Sequence, residues 1–414
     1  MKAAVRFRDR KWGREDSLDM EGIIRGIRHK AESDAFPTGL FLAYICYYAG
    51  QAVYSTYLNL YLYQTGFSAS QIGAVISVST VAILAMQPMW GMLSDRVSVK
   101  NRVLMFLCLA AAACSMGFYT TKSYVAILLL VAAFGVFYNP IIPLSDNITL
   151  ETLMRSRWDY GWIRMGGTIG YAAAVLVIGY FFRDSYEAMF LFIALSLVLV
   201  AVCFTAVPPV RGYKEKKGKF SLDILWKNKI LMGLIGYHLI YGMGIGFFNS
   251  FYSIHFVDIG GDSRMVGWMM FASSAAEIPF LMLMNRIVKK AGIRKVLVLA
   301  GAVTCIRWML MYVLTNPILI IGVNTLHGFG FSSFTYCILN YINNKVPPDL
   351  RASSQVLNTT LNTIFSRLIF GYIGGVAFEL WGAASMMMFS SAAMGAATLI
   401  FWYWSRDKQK ELSL

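Results

Sequence analysis

Several charged or titratable side chains stand inside long apolar runs of this sequence, among them Asp146, Arg164, Glu277, Arg307, His327 and Arg367. A charged side chain at the centre of a membrane helix costs about 2.5–3.5 kcal/mol on insertion scales, so each is a functional candidate by default. Glu277 has apolar flanks on both sides, and a buried carboxyl is suited to take up and release a proton near neutral pH. It is the first candidate for a proton site. The alternative is a permanent salt bridge to Arg367 or Arg307, which would hold it ionised. Asp146 and Arg164 are expected to meet as an ion pair. There Arg164 would offer a two-pronged hydrogen bond to a polar solute while Asp146 orients it, or the pair would only pin two helices together. His327 could relay a proton, bind solute or join two helices. His238 and His255 are expected to be structural.

Uncharged polar groups accompany them. Tyr44, Tyr47 or Tyr48, and Gln51 recur at helical spacing, a face that would line a wet cavity, and rings with hydroxyls and an amide suit sugars or nucleosides. Asn249, Asn358 and Asn362 add neutral donors and acceptors. Gly242, Gly244 and Gly246 predict a bend or a close helix approach. Tyr57, Tyr61 and Tyr63 read as an interfacial aromatic belt.

The elements that must hold these residues are membrane helices. The chain of 414 residues is 57% hydrophobic and 14% charged, and runs of about 20 apolar residues can cross a bilayer. Spans are expected near 38–63, 70–90, 102–121, 124–150, 160–182 and 187–207, then near 230–257, 264–288, 294–314, 317–344, 353–378 and 382–404. That makes an all-α membrane protein of twelve transmembrane helices in two pseudo-symmetric six-helix bundles, 38–207 and 230–405. A basic tail (1–37), a basic linker (208–229) and a short tail (406–414) lie outside them. The tail's Leu18, Ile23, Ile24 and Ile27 alternate with basic residues, as in a short interfacial helix or a plain tail, and no secretory signal is expected. Of the 37 Lys and Arg, all but six fall on one side of this topology. Lys122, Arg183 and Arg264 fall on the other, and Arg164, Arg307 and Arg367 within spans. Both termini are therefore expected in the cytoplasm. The net charge of +15 then belongs to those loops, and no nucleic-acid partner is expected. Six cysteines in apolar runs lack metal-like spacing, and no phosphate loop or hydrolase motif appears. Neither enzyme activity nor a metal or other cofactor is expected.

The stretch Trp90-Gly91-Met92-Leu93-Ser94-Asp95-Arg96, closing the second span, resembles the loop signature of the Major Facilitator Superfamily, with Ser98 in place of the usual Gly. A weaker copy at Asn285-Arg286 ends the eighth span. The likeness covers residues 38–405. The Tyr160–Tyr171 run, with Asn139, Pro143 and Asp146, is similar to lactose permease and related proton symporters, as are Cys305-Ile306-Arg307 and Thr325-Leu326-His327. Ala276-Glu277-Ile278-Pro279-Phe280 and Leu326-His327-Gly328 look closer to the nucleoside and phenylpropionate symporters of that grouping. The lactose permease pattern has a Glu three residues after the span-ten His, where this chain has Gly330. An acid earlier in its span eight falls on Met270, and its solute-stacking Trp on Tyr171. A galactoside is therefore not expected.

What the resemblance implies is a proton-coupled symporter importing a sugar or nucleoside by alternating access. A small organic or aromatic carboxylate is the rival solute, and a drug:proton antiporter or a non-transporting sensor are lesser alternatives. The solute site would draw on Tyr44, Tyr48, Gln51, Asp146, Arg164, Tyr171, Asn249, Arg307, His327 and Asn362. Proton coupling would use Glu277, Asp146, His327 and Arg367. The cytoplasmic gate would use Gly91, Asp95, Arg96, Asn285 and Arg286. The partners implied are the solute, protons and the lipid bilayer of the cell membrane, with the protein acting as a monomer.

Overall fold

The computed structural model describes residues 36–154, 156–181, 186–210 and 228–408. Almost all of the basic tail, most of the linker and the end of the C-terminal tail lie outside them, and with them the interfacial-helix expectation. Among the described residues the chain is helical and has no strand. The helices are α1 (Thr38–Gln64), α2 (Ala69–Arg96), α3 (Lys100–Gly117), α4 (Tyr124–Tyr138), α5 (Ile141–Leu153), α6 (Tyr160–Phe181), α7 (Ala188–Thr205) and α8 (Lys229–Phe247). After a π-turn at Phe248–Tyr252 follow α9 (Ser253–Asp258), α10 (Ser263–Ala291), α11 (Ile293–Val313), α12 (Pro317–Asn324), α13 (Leu326–Lys345) and α14 (Pro348–Thr363). A second π-turn, Ile364–Ile369, leads into α15 (Phe370–Trp404). Nine helical stretches among the described residues are long and apolar enough to cross a membrane.

Local chemistry sets these boundaries. Ser68 and Gln71 form a reciprocal capping box that starts α2. Asp262 caps α10 by accepting from the Met265 amide at 2.8 Å, and Asn316 caps α12 with Pro317 following it. Gly292, at φ +81°, ends α10, and Gly382, at φ +75°, turns the corner inside α15 where the sequence places a span boundary. The Asn139-Pro140 step separates α4 from α5, because proline has no N–H for the helix ladder.

One expectation is narrowed and two change. The glycines of α8 serve close approach: a Cβ at Gly242 would meet the Asn362 Oδ1 at 2.2 Å, and one at Gly246 the Ser366 carbonyl at 2.3 Å. The irregularity of that span is instead the π-turn that follows. Asn285 and Arg286 do not end their helix as Arg96 does, since α10 runs on to Ala291. Tyr57 and Tyr61 are buried within the protein, not placed in an interfacial belt, because the chain packs over them. The start of the linker is also tied down. Asn101 donates to the Val207 carbonyl at 3.1 Å and accepts from the Val210 amide at 3.1 Å.

Helices α1–α7 pack among themselves, as do α8–α15, and two seams join the sets. In the first, α2 lies against the second π-turn and α15. Gly73 faces the Gly371 carbonyl, Gly375 faces the Ala69 carbonyl, and Ser77 Oγ donates to the Leu368 carbonyl at 2.8 Å. In the second, α6 lies against α10, with Gly267 on the Val175 carbonyl and Gly179 on the Ser263 carbonyl. On α1, Tyr57 donates to the Ser263 carbonyl at 3.2 Å and Asn59 to the Ser250 carbonyl at 3.0 Å. All these contacts lie toward the end that carries the connections after α1, α6 and α9. Toward the other end Gly91 and Gly161 have open space about them, and Met154 and Met282 are 82% and 78% exposed. The helices are therefore closed at the end poor in basic residues and splayed at the end rich in them.

Candidate functional site

Helices α1, α5 and α6 build the first polar cluster. Gly166 and Gly170 of α6 sit on the Phe41 and Ile45 carbonyls of α1, an approach that any Cβ would obstruct. This brings α6 close enough for Arg164 to lie over the Tyr48 ring, 4.0 Å from its centroid. Gly167 leaves the room, since a Cβ there would meet the Tyr48 ring at 2.5 Å. Asp146 accepts from the Tyr44 hydroxyl and, at 2.9 Å, from the Tyr160 hydroxyl. The expected Asp146–Arg164 ion pair is absent among the described residues: two phenols occupy the carboxylate, and a ring occupies the guanidinium. Tyr44 is also not a cavity residue. It is 1% exposed and works from within the bundle, holding Asp146.

Helices α10, α11, α12 and α13 build the second. Glu277 Oε1 lies 3.4 Å from His327 Nε2, and His327 Nδ1 lies 3.4 Å from an Arg307 Nη1. A guanidinium can only donate, so Nδ1 must accept and Nε2 must carry the proton that points at Glu277. Arg307 also donates through Nη2 to Asn324 Oδ1 at 2.6 Å, and Asn324 donates to the Met269 carbonyl at 2.7 Å. Phe248 lies beneath the guanidinium at 4.6 Å, while Nε has no partner. The ladder thus runs Asn324–Arg307–His327–Glu277 from the interior outward. Exposure rises along it, from 1% for Arg307 to 12% and 25% for the His327 and Glu277 side chains. Gly328 presses on the Ala276 backbone and fixes α13 against α10 at this level.

Two expectations are corrected here. Arg307 is sealed inside the bundle and presents no group to a solute. Glu277 pairs with neither Arg307 nor Arg367; its partner is His327, supplied by α13. Gly330 holds the place where the lactose permease pattern has its Glu, and the carboxylate reaching the histidine comes from α10. Arg307→Ala is expected to strand Asn324 Oδ1 and reorient His327, and to destabilise the protein by about 1–3 kcal/mol. Unfolding by denaturing detergent, compared with Ile306→Ala on the exposed face, measures it.

A third cluster has a member that the sequence alone assigns to structure. His238 of α8 lies 3.1 Å from Asn358 Oδ1 and 2.9 Å from Asn362 Nδ2, stacked near Tyr241 and Phe334. The Asn358 and Asn362 pair, four apart, was visible in the chain, but nothing there says that α8 faces it. Tyr160 and Asn324 are also functional neighbours that sequence reasoning passed over.

The remaining candidates are spread out. Gln51 and Tyr171 are half-buried, and Tyr171 is within electrostatic reach of Glu277 across the seam. Asn249 is exposed in the first π-turn and Arg367 in the second. Of the residues expected to form a gate, Gly91, Arg96, Asn285 and Arg286 are exposed at the splayed end. Asp95 closes α2, and its side chain lies outside the described residues. Beneath this motif Trp90, Pro140, Pro143 and Asn147 line a cavity of about 210 Å³ at the α4–α5 break.

Known proteins resemble this chain over most of its length. The chain is 23% identical to the maltose permease of Geobacillus stearothermophilus, over 89% of its own length and 94% of that protein's. It is 24% identical to the putative nucleoside transporter YegT of Escherichia coli K12, over 86% and 90%. The crystal structure of the nucleoside transporter NupG superposes with a TM-score of 0.79 at 19% identity, covering 89% of this chain and 99% of that one. The model of the MFS_1 like family matches residues 38–389. That match takes in both seams and all three polar clusters, and the chain belongs to the MFS_1 like family.

Proposed function

We propose that this protein is a proton-coupled symporter that takes up a small polar organic solute by alternating access. The observation that carries this reading is the Glu277–His327–Arg307 ladder. It is anchored deep in one helix set and ends in a partly exposed carboxylate on α10, the helix that packs against α6 of the other. A proton arriving at Glu277 removes the negative charge that His327 Nε2–H faces, on a helix that packs against the other set, so it bears on their relative position.

The architecture in this reading has twelve spans in two six-helix bundles, 38–207 and 230–405. Helices α1 and α3 add two spans to the nine apolar stretches, and the corner at Gly382 divides the last stretch in two. The protein is a monomer in the cell membrane with both termini in the cytoplasm, so the splayed end faces inward. Relatives named for maltose and for nucleosides support a neutral, hydroxylated solute. Arg164 and Arg367 have no carboxylate partner among the described residues, and that favours an organic acid.

The test is external pH in proteoliposomes while sugars, nucleosides and organic acids are added in turn. Alkalinisation driven by at least one of them is expected. Uptake of a solute with no pH change would refute proton symport.

A further inference from the structure

We propose that Arg367 is the anchor for a carboxylate on the transported solute. The inference rests on the reading that the chain moves a small organic solute, and it narrows that solute to an acid.

Arg367 lies mid-span in the second π-turn and is exposed. The turn directs its neighbours elsewhere: Ser366 Oγ donates to the Asn362 carbonyl, and the Leu368 carbonyl accepts from Ser77 across the seam. Between them stands the Arg367 guanidinium. Among the described residues it makes no hydrogen bond and no ion pair. The acids that might have neutralised it are engaged. Asp146 is held by Tyr44 and Tyr160, Glu277 lies against His327, and Glu379 accepts from Ser70 at the closed end.

An exposed guanidinium without an acceptor, in a span of a membrane protein, is open to an arriving anion. Its flat, forked donors match the two oxygens of a carboxylate, which a hydroxyl or a neutral amide cannot mimic as a charge-assisted pair. Arg164 is less suited, because the Tyr48 ring already covers it. The position adds a second consequence. Arg367 adjoins Leu368 and stands one turn before Gly371, both of which form the closed seam. An acid bound there sits at the floor of the splayed space and touches the innermost rung of the closure that must open.

The test uses the purified full-length chain with paired ligands that differ only in charge: 3-phenylpropionate against 3-phenylpropionamide, and glucuronate against glucuronamide. Uridine and maltose serve as neutral solutes. Binding is read as a thermal shift and transport as alkalinisation in proteoliposomes. At least one acid should bind tenfold or more tightly than its amide. Arg367→Gln should abolish that preference while Arg367→Lys keeps part of it, which separates loss of the anchor from loss of the fold. Equal binding of acid and amide, or a preference that survives in Arg367→Gln, would overturn the proposal. So would neutral solutes moving equally well in wild type and Arg367→Gln with no response to the acids, although the symporter would then stand. An acid that binds through Arg367 but is never transported would support the anchor and refute the transport reading instead.

Discussion

Glu277→Gln should abolish uphill accumulation of the solute while leaving its exchange intact. An inward gradient of one pH unit is worth about 1.4 kcal/mol per proton, enough for one symported proton to concentrate the solute about tenfold. Without a titrating carboxyl that ratio should fall to one. The amide keeps the size of the side chain and an oxygen for His327 Nε2–H, so the Asn324–Arg307–His327 ladder behind it should hold. Solute loaded on both sides of the membrane should therefore still exchange. The measurement is radiolabelled accumulation and counterflow in the same proteoliposomes. Accumulation that persists in Glu277→Gln would move the proton to Asp146, and Asp146→Asn would then carry the loss. The geometry argues against that outcome. Asp146 is held by two phenol donors from different helices, and both need an acceptor oxygen, whereas Glu277 has one partner and a partly exposed side chain.

The helices were legible in the sequence because burial in lipid demands long apolar runs, and because basic residues mark one side of every second connection. The cost of a charge in such a run singled out Glu277, His327 and the three arginines by type. Their pairings were not legible. Proximity in sequence suggested Asp146 with Arg164, yet the tyrosines that hold Asp146 come from α1 and from the first turn of α6. Charge balance suggested Glu277 with an arginine, yet α13 interposes His327. Helix rotation decides both, and two π-turns and the break at Thr325 change that rotation partway along the spans. The glycines were visible as residues that permit bends. Which backbone each one touches depends on a neighbour far away in the chain.

That last point gives the second large effect. Gly267→Ala combined with Gly375→Ala should drive the protein out of the state described here. A Cβ at Gly267 would lie 2.3 Å from the Val175 carbonyl oxygen, and one at Gly375 would lie 2.3 Å from that of Ala69. Both obstacles are backbone, so neither can rotate away, and relief requires the two helix sets to separate at that end. Overpacking at a single site costs roughly 1–3 kcal/mol, and two sites in separate seams should add. The sum, roughly 2–6 kcal/mol, spans the shift of about 5.5 kcal/mol that takes a two-state equilibrium from 1:99 to 99:1. Ser263→Cys reports the change, since that residue is buried in the closed seam against Tyr57 and Tyr186. With the six native cysteines replaced, its labelling by an impermeant maleimide should rise tenfold or more as uptake falls. Gly236→Ala, in open space on α8, should leave the labelling unchanged. If the double variant labels like its parent, the glycine seams do not set the closure. The Asn59 and Ser77 hydrogen bonds to the two π-turn carbonyls would then be what holds that end shut.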